Sequence, residues 1–268
     1  MGYMYSKAEA SVKVNDVDFE LIDVGSGPAL LYLHPVDGVS AKSTFIEALS
    51  KNFRVLAPSH PGFGTSSLPA GVITPDDLAY IYLDLLDRLD IEDVTLVGSS
   101  FGGWIAAEIA TKNTARLARL VLAGTTGVKF GSHLQQDVAD YFQVAIEDLP
   151  ALFFHDEKVG LYAFNGLDFS SLPDDEVFAF ARNRDSYCLF SYNPNGFNPA
   201  LKRRLHRIDV PTLVLWGAKD KVVPVSYGKQ FAENIPGATF RTIPACGHYS
   251  HIEKPQEFAS AIIDFAEA

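Results

Sequence analysis

The chain opens on alternation. Apolar and polar residues alternate over 11–14 and again over 19–24, with Asn15-Asp16 between them. Period-two alternation broken by such a pair predicts an antiparallel hairpin. The pattern then changes. Residues 29–33, 53–57, 94–97 and 117–123 are short apolar runs without alternation, which is how strands covered on both faces read. Helical spacing separates them, at 42–49, over a segment ending near 89, and at 104–110. The second of these opens on Thr74-Pro75-Asp76-Asp77: a capping hydroxyl, a proline suited to the first turn, and two acids that favour the helix dipole. Strands at 211–216 and 238–243 and helices at 225–234 and 255–266 follow near the end. Repeated strand–helix alternation predicts an α/β fold, a doubly wound, mostly parallel sheet of about eight strands with an antiparallel start.

The alternation stops between 127 and 205, where the pattern is helical or irregular. Fourteen of the chain's 32 aromatic residues (19 Phe, 11 Tyr, 2 Trp) fall there. We expect residues 127–205 to form a helical lid inserted after the sixth strand, between core segments 1–126 and 206–268. Most of the aromatics should form the lid's own small core, and a few should face down and line an apolar pocket.

Composition narrows the partners. The formal charge of −11 argues against nucleic acid and anionic membrane, which demand basic patches. No apolar run approaches a membrane span, and residues 1–10 lack the apolar stretch of a secretion signal. Cys188 and Cys246 are far apart in sequence and read as reduced thiols. No spacing suggests a metal or a cofactor. A cytoplasmic protein acting on a small apolar molecule is the expectation.

The chemistry concentrates at strand ends. The run 94–97 meets Gly98-Ser99-Ser100-Phe101-Gly102-Gly103 and passes directly into a helix. A strand that turns this sharply needs glycines at 98 and 102, where Cβ atoms would collide. Ser100 then stands at the apex, and the next N–H groups lie at a helix N-terminus, where negative charge is favoured. Asp220 follows the 211–216 strand and His248 follows the 238–243 strand. A serine hydroxyl becomes a nucleophile when an imidazole takes its proton and an acid orients that imidazole. The order serine, aspartate, histidine is the one that accompanies this elbow.

On these residues the chain resembles the α/β-hydrolase superfamily from end to end, in its lid-containing branch of serine esterases and carbon–carbon hydrolases. The likeness is carried by Leu33-His34, by His60-Pro61-Gly62-Phe63-Gly64-Thr65-Ser66, by the Gly98 elbow, by Trp216-Gly217 with Lys219-Asp220, and by Gly247-His248 with Glu253-Lys254-Pro255. It implies Ser100 as nucleophile, His248 as general base and acid, and Asp220 as the orienting acid. It also implies an oxyanion hole made by the backbone N–H groups of Phe101 and Val36. One departure stands out: the usual His-Gly is here His34-Pro35, and proline has no N–H.

The remaining candidates have two readings each. Asp37 is a turn residue capping its own loop, or a polar contact to substrate. Val223 and Tyr249 are further candidate substrate contacts. His34 and His60 should lock each other's loops, and His251 is a weaker rival to His248. Arg182 and Arg184 make ion pairs within the lid, or hold a substrate carboxylate. The leading functional expectation is a serine hydrolase cleaving a small or medium apolar ester, lactone or thioester. The alternative is hydrolysis of a carbon–carbon bond in a vinylogous diketone, although Gly98-Ser99-Ser100 departs from the Gly-Asn-Ser of that class. A reading of another kind is a non-catalytic small-ligand receptor.

Overall fold

A computed structural model of the chain describes residues 8, 10–40, 42–132, 135–192 and 196–268. The stretch read for a secretion signal lies almost entirely outside them. Among the described residues one eight-stranded sheet runs through the molecule. Its strands are β1 (Ala10–Val14), β2 (Val17–Gly25), β3 (Ala29–Leu33), β4 (Arg54–Pro58), β5 (Val94–Ser99), β6 (Leu117–Ala123), β7 (Thr212–Gly217) and β8 (Thr239–Ile243). They lie in the order β1-β2-β4-β3-β5-β6-β7-β8. The hairpin β1–β2 is antiparallel, β2 is antiparallel to β4, and the rest pair in parallel.

Each parallel strand feeds its neighbouring residues to opposite sides of the sheet. Leu31, Leu33, Leu56, Leu96, Leu120 and Leu122 join one core cluster. Leu30, Tyr32, Val55, Val97, Val121 and Ala123 join a second. The first is covered by α2 (Pro75–Leu89), α3 (Phe101–Lys112) and α7 (Val225–Asn234), the second by α1 (Thr44–Leu49) and α8 (Pro255–Glu267). Covering both faces explains why these strands read as unbroken apolar runs. At the start of α2, Thr74 Oγ1 accepts from Asp77 N, and Asp77 Oδ2 accepts from Thr74 N, the reciprocal cap that the sequence suggested.

Between β6 and β7 the described residues form α4 (Leu149–Phe153), α5 (Glu157–Ala163), α6 (Asp174–Ser191) and several 3-10 turns. This segment does not enclose a core of its own, contrary to the expectation from its aromatics. Its buried side chains, among them Tyr141, Phe153, Phe164, Phe180 and Phe190, belong to the same cluster as α2 and α3. Phe190 stacks with Phe63 at 6.3 Å and with Phe101 at 6.1 Å between ring centroids. A segment of this size encloses little core of its own, so it packs on the apolar top of the larger domain. No helix of the described residues is long and apolar enough to cross a membrane.

Candidate active site

The bend between β5 and α3 is enforced by crowding. A Cβ on Gly98 would lie 2.4 Å from the Gly102 carbonyl oxygen, and one on Gly102 would lie 2.0 Å from that of Leu33. Ser100 takes the strain, at φ +52° and ψ −112°, a conformation that non-glycine residues rarely hold without support. The support is in the backbone. Ser100 N donates to Ala123 O at 2.8 Å, and Ser100 O accepts from Trp104 N at 3.1 Å and Thr126 N at 3.2 Å.

The structure brings the three separated residues together. Ser100 Oγ and His248 Nε2 are 2.8 Å apart, and His248 Nδ1 and Asp220 Oδ2 are 2.8 Å apart. The side chains of His248 and Asp220 are fully shielded from solvent. The other carboxylate oxygen, Asp220 Oδ1, accepts from the N–H groups of Val222 and Val223 at 2.8 and 2.9 Å. With Asp220 held this way, Nδ1 of His248 carries the proton and Nε2 is left to accept from Ser100. This is an arrangement in which a hydroxyl is deprotonated by a neutral imidazole. Ser100 borders a cavity of about 340 Å³, with Val36, Tyr141, Phe153, Tyr187 and Val222 among its walls.

A family model described as alpha/beta hydrolase fold matches residues 28–255. The chain belongs to the alpha/beta-hydrolase family. Its fold and the serine–histidine–aspartate geometry are of one piece with that membership, and the chain is an enzyme of the hydrolase class. It is 30% identical to the 2-hydroxymuconate semialdehyde hydrolase of Pseudomonas sp. (strain CF600), over 92% of this chain and 90% of that protein. It is also 30% identical to the 2-hydroxy-6-oxononadienedioate/2-hydroxy-6-oxononatrienedioate hydrolase of Cupriavidus pinatubonensis (strain JMP 134 / LMG 1197), over 95% of this chain and 93% of that one. In shape it is similar to a serine-to-alanine variant of the meta-cleavage product hydrolase from Pseudomonas fluorescens IP01 complexed with acetates. That match has a TM-score of 0.78 at 24% identity and covers 97% of this chain and 98% of the other.

In this hydrolase the loop after β3 is fixed by two histidines. His60 N donates to His34 Nε2 at 2.9 Å, so His34 Nδ1 carries the proton and donates to Pro35 O at 2.6 Å. His60 Nε2 donates to His34 O at 2.9 Å, and the Tyr82 hydroxyl donates to His60 Nδ1 at 2.5 Å. Both rings are buried. Burial lowers His34 to about 4 and holds His60 well below the usual histidine range. Gly38 N also donates to Pro35 O, at 3.2 Å. Proline 35 thus lacks a donor, but its carbonyl anchors the turn that leaves Val36 buried beside the cavity.

Ser100 and Asp220 hydrogen-bond to His248, not to His251. It sits among Tyr32, Phe45, Tyr249 and Phe258, and burial lowers it to about 3. Asp37 does not cap its own loop. Its Oδ2 accepts from the hydroxyl of Tyr249, 212 residues away. Two candidate contacts are displaced. The cavity wall carries Val222, not Val223, and Val223 lies behind, where its carbonyl accepts from Trp216 Nε1 at 3.0 Å. Tyr249 is set behind the wall too, stacked on Phe153 at 4.3 Å between centroids.

The two arginines separate. Arg182 donates to the carbonyls of Gly64 and Ser66 at 2.5 and 2.6 Å, which makes it a clamp on the 60–66 loop. Asn183 and Ser186 add bonds to Gly64 N, Asp37 O and Gly62 O. The Arg184 guanidinium lies over the Tyr141 ring at 4.6 Å, and its Nη1 is buried with no hydrogen-bond partner among the described residues.

Two residues to which the sequence assigned no role complete the frame. Phe153 O accepts from His248 N at 2.8 Å and from Tyr249 N at 3.1 Å. The Glu253 carboxylate accepts from Gly247 N at 2.6 Å, Asp156 N at 2.6 Å and His155 N at 3.1 Å. The quoted run Glu253-Lys254-Pro255 was the signal for the latter. Nothing in the sequence marks Phe153.

Proposed function

We propose that this hydrolase cleaves a carbon–carbon bond in a vinylogous diketone that carries a carboxylate, a ring-cleavage product of the 2-hydroxy-6-oxo-dienoate type. The observation that carries this reading is the Arg184 guanidinium, which lies over the ring of Tyr141, a wall residue of the cavity that Ser100 borders. A substrate carboxylate would give that charge an anionic partner, which a simple apolar ester does not. The names of the relatives support the same class. A 2-hydroxymuconate semialdehyde contains no ester link, so hydrolysis of it breaks a carbon–carbon bond beside a carbonyl. Position 99 is serine, not the asparagine of that class, so Arg184 supplies the polar anchor here. This reading goes ahead of the ester, lactone or thioester alternative, which rests on the fold.

His248 takes the Ser100 proton as Oγ attacks the substrate's keto carbon. The tetrahedral oxyanion is held by the N–H groups of Phe101 and Val36. As the carbon–carbon bond breaks, its electron pair goes to the departing dienolate, and His248 returns the proton to that carbon. Water, activated by His248, then attacks the acyl-enzyme and releases the acid and Ser100. Asp220 keeps the imidazole in one tautomer throughout and stabilises its charged form. Residues 127–205 act as the lid whose α6 carries the anchor.

The test is turnover of 2-hydroxy-6-oxo-hepta-2,4-dienoate, followed by mass spectrometry for acetate and 2-hydroxypenta-2,4-dienoate. Formation of both products in a Ser100-dependent manner supports the reading. No cleavage of the dienoate alongside brisk turnover of p-nitrophenyl esters overturns it in favour of the ester reading.

A further inference from the structure

The residue after the candidate base and the residue after the candidate oxyanion donor are bonded to each other. Tyr249 comes directly after His248, and Asp37 directly after Val36. The Tyr249 hydroxyl donates to Asp37 Oδ2. Both side chains stand behind the walls of the cavity that Ser100 borders, so their bond reaches the chemistry only through its neighbours. It is well shielded. Tyr249 is 2% exposed, and its ring packs against Phe153 and Phe154. Burial, and then the nearby Asp37 charge, hold its hydroxyl well above the usual tyrosine range, so it stays a donor.

The bond bears on the aim of one peptide. A peptide unit is planar and trans, so the Val36 N–H points opposite to the Pro35 carbonyl. That carbonyl accepts from His34 Nδ1 at 2.6 Å and from Gly38 N at 3.2 Å. Pinned by these two donors, it sends the Val36 N–H outward from the turn. Both bonds lie within residues 34–38, so they fix the shape of the turn and not its tilt. The tilt depends on bonds that leave it. His60 ties down its start through His34, and Asn183 Nδ2 donates to Asp37 O at 3.0 Å. The Asp37–Tyr249 bond is the one that ties it to the segment carrying His248. A backbone donor stabilises an oxyanion only when it is aimed at it, and a misplacement of about 1 Å can cost about 10²-fold in rate. Shape alone does not call for this pair, since apolar side chains of the same size would fill the space with no polar group to satisfy.

We propose that Asp37 and Tyr249 are a positioning pair, whose hydrogen bond fixes the oxyanion turn to the histidine loop so that the Val36 N–H and His248 Nε2 bear on the same substrate carbonyl. This rests on the Ser100 mechanism proposed above, with Val36 in its oxyanion hole, and it holds for an ester as for a diketone. Neither side chain touches substrate. Loss of the pair therefore falls on the transition state and not on substrate binding.

The experiment follows p-nitrophenyl acetate hydrolysis by the full chain, with circular dichroism on each preparation to refer rates to folded protein. Tyr249→Phe keeps the ring on Phe153 and removes the hydroxyl. We expect its kcat to fall by about 10–10²-fold, with KM within about twofold of the wild type. A trifluoromethyl ketone, which accepts Ser100 Oγ at its carbonyl carbon and becomes an oxyanion, should bind more weakly by the factor that kcat/KM loses. A contact that only props up the fold would lower the melting temperature without that match. Asp37→Ala should lose as much as Tyr249→Phe, and the double variant no more than about twofold beyond either. Asp37→Asn keeps an amide oxygen for the tyrosine and should retain at least about fivefold more activity than Asp37→Ala. A wild-type kcat in Tyr249→Phe, a loss confined to KM, additive losses in the double variant, or Asp37→Asn no better than Asp37→Ala each overturns the proposal. Ester hydrolysis that survives in Ser100→Ala overturns it together with the mechanism above. Ser100-dependent hydrolysis that Tyr249→Phe leaves intact overturns the pair alone. Failure of dienoate cleavage, with the ester results as expected, strikes only the carbon–carbon reading.

Discussion

The carbonyl oxygen of Phe153 accepts two hydrogen bonds from consecutive residues, His248 N at 2.8 Å and Tyr249 N at 3.1 Å. Phe153 is the last residue of α4, so the segment inserted between β6 and β7 is bonded to the backbone that carries the candidate base. Glu253 reinforces the joint with three N–H groups from both sides of it. Glu253→Gln leaves one oxygen for three donors. It should destabilise the fold by about 3 kcal/mol and lower kcat through a displaced His248, read by chemical denaturation and by steady-state kinetics on the same preparation.

Removing the candidate nucleophile and loosening its partner should differ in kind. Ser100→Ala should lose at least about 10⁴-fold in kcat with its melting temperature nearly unchanged. Asp220→Asn keeps the shape but admits the wrong tautomer and should lose about 10³–10⁴-fold in kcat, with KM little affected. A melting temperature that falls by many degrees in Ser100→Ala would mean the serine is structural.

The two neighbouring arginines should separate cleanly. Arg184→Met should raise KM for the dienoate about 10²-fold and leave that for p-nitrophenyl acetate nearly unchanged, since charge-assisted bonds of this kind are worth about 2–3 kcal/mol. Arg182→Met should cost about 1–2 kcal/mol of stability through its two lost carbonyl contacts, with KM for either substrate close to the wild type.

Stability should fall on mild acidification. His34, His60 and His251 have folded values below their ordinary 6.5, at about 4, well below, and about 3. A depressed base stays neutral in the fold while the unfolded chain takes up protons, so its stabilisation is complete above pH ~6.5 and is lost as pH falls. Asp37, raised from 3.8 to about 6, works the other way by holding a proton in the fold. Near pH 5 the unfolded chain therefore binds about two more protons, and the unfolding free energy should drop by about 2–3 kcal/mol per pH unit. Urea denaturation at pH 7.5, 6 and 5 measures it, and equal midpoints would refute the neutral burial of the three rings.

How legible was all this? The elbow, Asp220 and His248 were, because each is a polar residue beside a glycine at the end of an apolar run, and local pattern carries that. The two-faced sheet was, because period-two burial on both sides leaves a continuous apolar signature. What failed depends on phase or on distant partners. Val222 and Val223 are interchangeable in composition, and one residue of chain direction decides which meets the cavity. Arg182 and Arg184 sit two apart on α6, where a helix turns them to opposite sides, and only the docked 60–66 loop says which side is which. Asp37 looked like a turn former because its partner lies 212 residues downstream. The aromatics of 127–205 announced burial without saying against what.

The inserted segment grips the rest of the molecule mostly by its main chain. Arg182, Asn183 and Ser186 bond to backbone groups of residues 37, 62, 64 and 66, and Phe153 bonds to the amides of 248 and 249. Every sequence supplies such groups. A segment anchored this way is transplantable: its substrate-facing side chains are free to drift, or to be exchanged wholesale for those of another hydrolase, without compensating changes beneath it. Glu253, Glu108 and Tyr227 are exceptions, side chains that a graft would have to bring along or find already waiting.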